Sequence, residues 1–138
     1  MVVYADRIVD LLDTDGRNAV IQAGESSTIE GSLKDGEDAI EKTLLTSFKL
    51  TLFDEATGSI INSRNDQSVL DENGGLVDSN GNFNIVLGTL DNVIVGSPAV
   101  GELEAHIARL TWEWTSLAVQ RKGIQQFRFH VEKIKTFS

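Results

Sequence analysis

Leu103–Thr115 reads L-E-A-H-I-A-R-L-T-W-E-W-T, and this stretch decides the fold. Its even positions, His106, Ala108, Leu110, Trp112 and Trp114, are mostly apolar. Its odd positions include Arg109, Thr111 and Glu113, with Ile107 among them. A period of two is the signature of a strand with one buried and one wetted face. A second run alternates Phe127, Phe129 and Val131 with Gln126, Arg128, His130 and Glu132. The two runs are expected to form a hairpin, with a basic turn around Gln120–Gly123. Upstream residues must then cover its apolar face.

Working outward, Leu44–Phe53 is the next clearest strand, with Phe48, Leu50 and Leu52 on one face and Ser47, Lys49 and Thr51 on the other. Ala56-Thr57-Gly58-Ser59 reads as a turn, and Ile60-Ile61-Asn62 begins a return strand. Asn62–Gly75 is a polar loop, with room for one helical turn at Ser68–Glu72. The tight turn Asp78-Ser79-Asn80-Gly81-Asn82 delivers Phe83, Ile85 and Leu87 to a common face. Leu90–Val95 is expected to cross between sheets, and Gly96-Ser97-Pro98 to mark a loop. Nearer the N-terminus, Ser26–Leu33 alternates around Ile29 and Leu33, and Asp38–Thr43 could hold a helical turn. Tyr4–Leu12 reads as a strand or extended arm, although Ile8, Leu11 and Leu12 could also form a helix face. Asp13-Thr14-Asp15-Gly16 before a β-branched run is a hairpin signal.

Short strands punctuated by Gly, Asn and Asp turns predict an all-β, antiparallel β-sandwich of immunoglobulin-like architecture. The expected organisation is an N-terminal arm or hairpin over residues 1–22 and a β-sandwich domain over residues 23–138. The expected core is Phe48, Leu50, Leu52, Phe83, Ile85, Leu87, Leu110, Trp112, Trp114, Phe127, Phe129 and Val131.

The 138 residues are 41% hydrophobic, enough for one domain with a sizeable core. No cysteine is present, so neither disulfides nor thiolate metal sites are available. No apolar run approaches the roughly 18 residues of a membrane span, and the start lacks signal-peptide character. Charge is unevenly placed. Residues 1–104 hold 19 acids and 6 bases, a balance of −13, whereas residues 105–138 hold 2 acids and 6 bases, a balance of +4. The acidic body argues against nucleic-acid binding. The basic C-terminal hairpin is expected to pair with acidic strands of its own fold, or with the acidic part of another copy.

No catalytic constellation is legible, and no cofactor or metal site is expected. Asp78–Asn82 alternates oxygen ligands as a calcium loop does, but Phe83 stands where an EF-hand requires glycine and Thr89 where it requires glutamate. His106 and His130 fall on opposite strand faces by parity, so they should not share a metal. His106 reads as a hydrogen-bonded residue at the end of the core. The acids sit mostly in turns, where their usual role is solvation and local backbone bonding. Trp112 and Trp114 could form a sugar-stacking platform if their face were open, as in a carbohydrate-binding module. The stronger expectation places them in the core, because hiding such rings at ~25 cal/mol per Å2 contributes several kcal/mol.

Three segments resemble small structural proteins of tailed bacteriophages: L-T-L-F-D-E-A-T-G-S-I-I-N-S-R-N-D-Q-S-V-L-D-E-N-G-G at Leu50–Gly75, D-S-N-G-N-F-N-I-V-L at Asp78–Leu87, and H-I-A-R-L-T-W-E-W-T-S followed by F-R-F-H-V. Ile61-Asn62-Ser63-Arg64-Asn65-Asp66-Gln67 is the most specific part, and the likeness covers roughly residues 44–134. It implies a non-enzymatic virion component, made in the host cytoplasm, that decorates or cements the capsid, with a neck, tail or baseplate part as the alternative. The implied partners are the major capsid protein, other virion proteins and further copies of the chain, with no nucleic acid or membrane. The contacts expected are Tyr4, Arg7, Ile8 and Leu11 of the arm and Arg64, Asn65 and Asp66 of the loop.

Overall fold

The computed structural model describes residues 8–134. Its centre is the hairpin of β10 (Leu103–Ser116) and β11 (Val119–Glu132), paired over fourteen positions from Leu103↔Glu132 to Ser116↔Val119. The turn is not at Gln120–Gly123, which lies within β11. It is the two-residue link Leu117-Ala118, both residues in the left-handed region with φ of 51° and 63°. Two such residues give the twist that a tight hairpin needs, usually supplied by Asn-Gly. Gly123 has another use. It lies opposite Trp112, and a methyl group there would overlap the indole.

β6 (Leu45–Asp54) pairs antiparallel with β10 on its other side, its register shifting at Glu113/Trp114. The return from β6 is fragmentary. Ile60 makes a single bridge to Phe53, and only the short β7 (Gln67–Ser68) pairs beyond it. Residues 69–72 form no helix.

β11 is flanked by β1 (Ile8–Asp10) and β2 (Val20–Gln22), both parallel to it. The expected antiparallel sandwich thus holds through β11, β10, β6 and β7, and the parallel additions of β1 and β2 make this sheet mixed. Between β1 and β2 the chain makes a tight excursion closed by a Leu12↔Asn18 bridge, with the Gly16 N–H donating to the Asp13 carbonyl. The Asp-Gly signal is thus a small hairpin, its arms joined by the Asp13 N–H to the Arg17 carbonyl and the Ala19 N–H to the Leu11 carbonyl, set into an edge whose chain then resumes its direction along β11.

The order of the large sheet is β1-β11-β10-β6-β7, with β2 also on β11. Against it packs an antiparallel sheet of β3 (Ser27–Ser32), β9 (Asn82–Leu87) and β8 (Gly75–Val77), in the order β3-β9-β8. Lys34–Asp35 (β4) and Asp38–Ala39 (β5) form a small separate hairpin, followed by one 3-10 turn at Lys42–Leu44. The two main sheets make a β-sandwich. Gly81 has φ 79°, and Asp78 Oδ1 accepts the N–H groups of Asn80 and Asn82, so the Asp78–Asn82 segment is a hairpin turn.

Phe48, Leu50, Leu52, Phe83, Ile85, Leu87, Leu110, Trp114, Phe129 and Val131 are buried between the sheets. Trp112 and Phe127 are only half-buried and pack at the margin of this cluster. Ile107, on the face expected to be wetted, is also buried. It stands in register between Phe53 and Arg128, on a face where the Arg109 guanidinium lies 4.9 Å from the Phe53 ring centre.

Candidate functional site

The expected contact residues divide between the two opposite edges of the large sheet. Tyr4 and Arg7 lie outside the described residues. Ile8 and Leu11 are half-buried on the β1 side, and the Leu11 N–H donates to the Arg128 carbonyl. Arg64, Asn65 and Asp66 belong to the loop beside β7, at the far edge. With strands about 4.8 Å apart, four steps across the sheet separate the edges by roughly 19 Å. The two groups cannot form one patch.

Among the described residues no further strand covers the β1–β2 edge. Val9 on β1, Leu12 in the link and Val20 on β2 are 40%, 59% and 48% exposed there. An unfinished edge of this kind offers backbone groups and apolar side chains to a neighbour. It is held to the sandwich by parallel pairing and by charge. Arg128 donates through Nη1 to Asp10 Oδ1 at 2.9 Å and through Nε and Nη2 to the Glu55 carboxylate at 2.8 and 2.6 Å. The Arg128 bonds hold the Glu55 carboxyl below its usual range. The basic hairpin thus engages acids of its own fold here, as expected.

At the other edge, Arg64 is unavailable to a partner. It is buried, and its guanidinium makes a two-pronged bond to Asp91, Nε to Oδ1 at 2.6 Å and Nη2 to Oδ2 at 3.0 Å. Nη1 donates to Gln67 Oε1 and to the Asn73 carbonyl, both at 3.0 Å. Asp91 also accepts from Asn62 Nδ2 at 2.9 Å and the Gly88 N–H at 2.7 Å. Burial pushes the Asp91 carboxyl up, but these donors and the Arg64 charge outweigh it and hold it below the ordinary aspartate value. Asn62 and Ser63, at φ 53° and 57°, form the turn that aims Arg64 inward, with the Arg64 N–H closing on the Ile61 carbonyl. Asn65 and Asp66 remain exposed, although the Asp66 N–H donates to Thr51 Oγ1 at 2.9 Å. The Asn-Ser-Arg-Asn-Asp motif is therefore largely a device for locking the loop. Asp91 escaped the sequence reading, although an isolated acid within the apolar Leu90–Val95 run signals a buried cation partner.

The tryptophans differ from each other. Trp114 is buried, with Nε1 directed at Asp35 Oδ2 at 3.4 Å. Trp112 lines a groove of about 320 Å3 with Phe83, Leu110, Gln125, Phe127 and Lys34. The crossover after Leu90 is pinned by Glu104, which accepts the Val95 and Gly96 N–H groups at 2.7 and 2.8 Å.

No family model, curated protein or solved structure matches the chain. Among the described residues no helix is long and apolar enough to cross a membrane.

Proposed function

We propose that this chain is a non-enzymatic structural protein of a tailed-phage virion that decorates or cements the capsid. The observation that carries the reading is the exposure of Val9, Leu12 and Val20 on the β1–β2 edge, which no further strand covers among the described residues. The exposed Asn65–Asp66 tip lies at the opposite edge, so two neighbours could be engaged at once. A cement protein must bridge in this way, and many modest contacts repeated over a shell sum to strong retention. The resemblance of residues 44–134 to phage structural proteins, with the immunoglobulin-like sandwich it implies, supports the same reading. The partners are the major capsid protein or other virion proteins and further copies of the chain, and the protein resides in the virion. A neck, tail or baseplate position is the alternative within the particle.

Deleting residues 2–12 tests this reading. The truncated chain should keep the cooperative unfolding of the sandwich and lose binding to particles that lack the protein. Undiminished binding would remove the edge from the account. Carbohydrate binding is the second reading, favoured by the half-buried Trp112 in its groove. It predicts a glycan-dependent shift in tryptophan fluorescence that Trp112→Ala abolishes.

A further inference from the structure

At one end of the sandwich Asp54, Glu104 and His106 converge on the inner side of the large sheet. Asp54 ends β6 and is the direct register partner of His106 on β10, so their side chains emerge side by side. Glu104 stands two residues before His106 on the same strand and shares its face. Each of the three offers a ligand atom within 4.8 Å of the other two. Asp54 and His106 are fully buried, at 2% and 0% exposure.

The hydrogen bonds in this cluster are incomplete. Asp54 Oδ2 accepts both the N–H and the hydroxyl of Thr57, at 3.1 and 2.6 Å, whereas Asp54 Oδ1 has no partner. His106 Nε2 bonds Glu104 Oε1 at 2.6 Å, whereas His106 Nδ1 has no partner. The buried Asp54 Oδ1 lacks a donor beside a histidine–carboxylate pair, a gap that a bound cation would satisfy.

We propose that Asp54, Glu104 and His106 bind one divalent transition-metal ion, with Zn2+ the best match. One imidazole and two carboxylates form the nitrogen and oxygen donor set that suits Zn2+, Mn2+ and Co2+ over the hard cations, which take oxygen alone. Asp54 contributes Oδ1, the oxygen that Thr57 leaves free. His106 Nε2 and Glu104 Oε1, 2.6 Å apart, supply the other two donors, the ion displacing the proton they share. Such an ion ties the end of β6 to the start of β10. Through Glu104 it also ties in the Val95–Gly96 crossover, which joins the two sheets. The site is a clamp on the sandwich, and it is independent of the particle-binding reading.

Chelator-treated full-length protein titrated with Zn2+ alone tests the proposal. The expected result is one equivalent bound by calorimetry and a melting temperature raised by roughly 5–10 °C in excess metal. Mg2+ should give neither. Co2+ should produce a visible absorption band, and Zn2+ should move the NMR resonances of the His106 ring but not those of His130. Asp54→Asn and Glu104→Gln should each weaken Zn2+ binding roughly tenfold or more, while His130→Gln leaves it intact. Absence of stoichiometric binding would overturn the site, as would undiminished binding in both carboxylate variants. If Asp54→Asn does not fold, the His106 ring resonances of the unaltered protein decide the matter, and an unmoved ring overturns the site.

Discussion

The two edges of the large sheet solve opposite problems. At the β7 edge, the Asn62–Gly75 loop is long and polar, yet it is tied down by one buried ion pair. Arg64 and Asp91 are almost fully covered, and Asn62, Gln67, the Asn73 carbonyl and the Gly88 N–H complete their bonding. At the β1–β2 edge the strands are short and run parallel to β11, and among the described residues Val9, Leu12 and Val20 stand half in water. Polarity is therefore a poor guide to which surface is free. A polar loop can be closed by its own network, and an apolar strand can be left open.

The largest expected effect lies at the closed edge. Asp91→Ala leaves the Arg64 charge buried and unpaired and should cost about 3–5 kcal/mol. Urea denaturation of Asp91→Ala, Arg64→Ala and the double variant measures this, and the double variant should lose much less than the two single losses combined. Particle binding, measured on whatever remains folded, should be unchanged. The same network sets an acid limb. The folded-state value of Asp91 lies below its ordinary 3.8, so its contribution is present above that value and is lost as pH falls through the lowered one. The urea midpoint should fall on acidification, and Asp91→Ala should flatten that limb.

A smaller effect is expected at the hairpin tip, which belongs to neither edge. Leu117 is 93% exposed and, with Ala118, holds a backbone conformation that side-chain-bearing residues rarely adopt. Replacing Leu117-Ala118 with Asn-Gly should stabilise the sandwich by about 1 kcal/mol, read as a raised urea midpoint. An unchanged or lowered midpoint would show that the tip is not strained.

The smallest effect on stability, and the largest contrast, is expected at the open edge. Leu12→Ser and Val20→Thr should change stability by no more than about 0.5 kcal/mol, because these side chains are already half in water. They should nonetheless weaken particle binding in co-sedimentation. Equal binding by the variants and the natural chain would erase the difference between the edges.

Most of the core was legible because period-two patterning needs no partner to be seen: β6 and β9 announce their buried faces residue by residue, whereas on β10 and β11 Trp112 and Phe127 stay at the margin and Ile107 is buried on the other face. What failed depended on pairing across the fold. Gly123 looked like a turn, but the facing Trp112 uses its missing side chain. Arg64 looked like a contact, because its partner Asp91 lies 27 residues away in an apolar run. The hairpin at Asp13–Gly16 was legible, but the parallel pairing of β1 and β2 along β11 around it left no local trace. His106 and Glu104 share a strand face legibly, but Asp54 joins them only through the β6–β10 register.

The most direct test of the central claim is the copy number of this chain in purified phage particles, measured by quantitative mass spectrometry against the major capsid protein. A shell-coating protein repeated by capsid symmetry predicts a simple ratio to the capsid protein, roughly hundreds of copies. About a dozen copies would move it to the neck or tail. Complete absence from the particle would contradict the virion reading altogether.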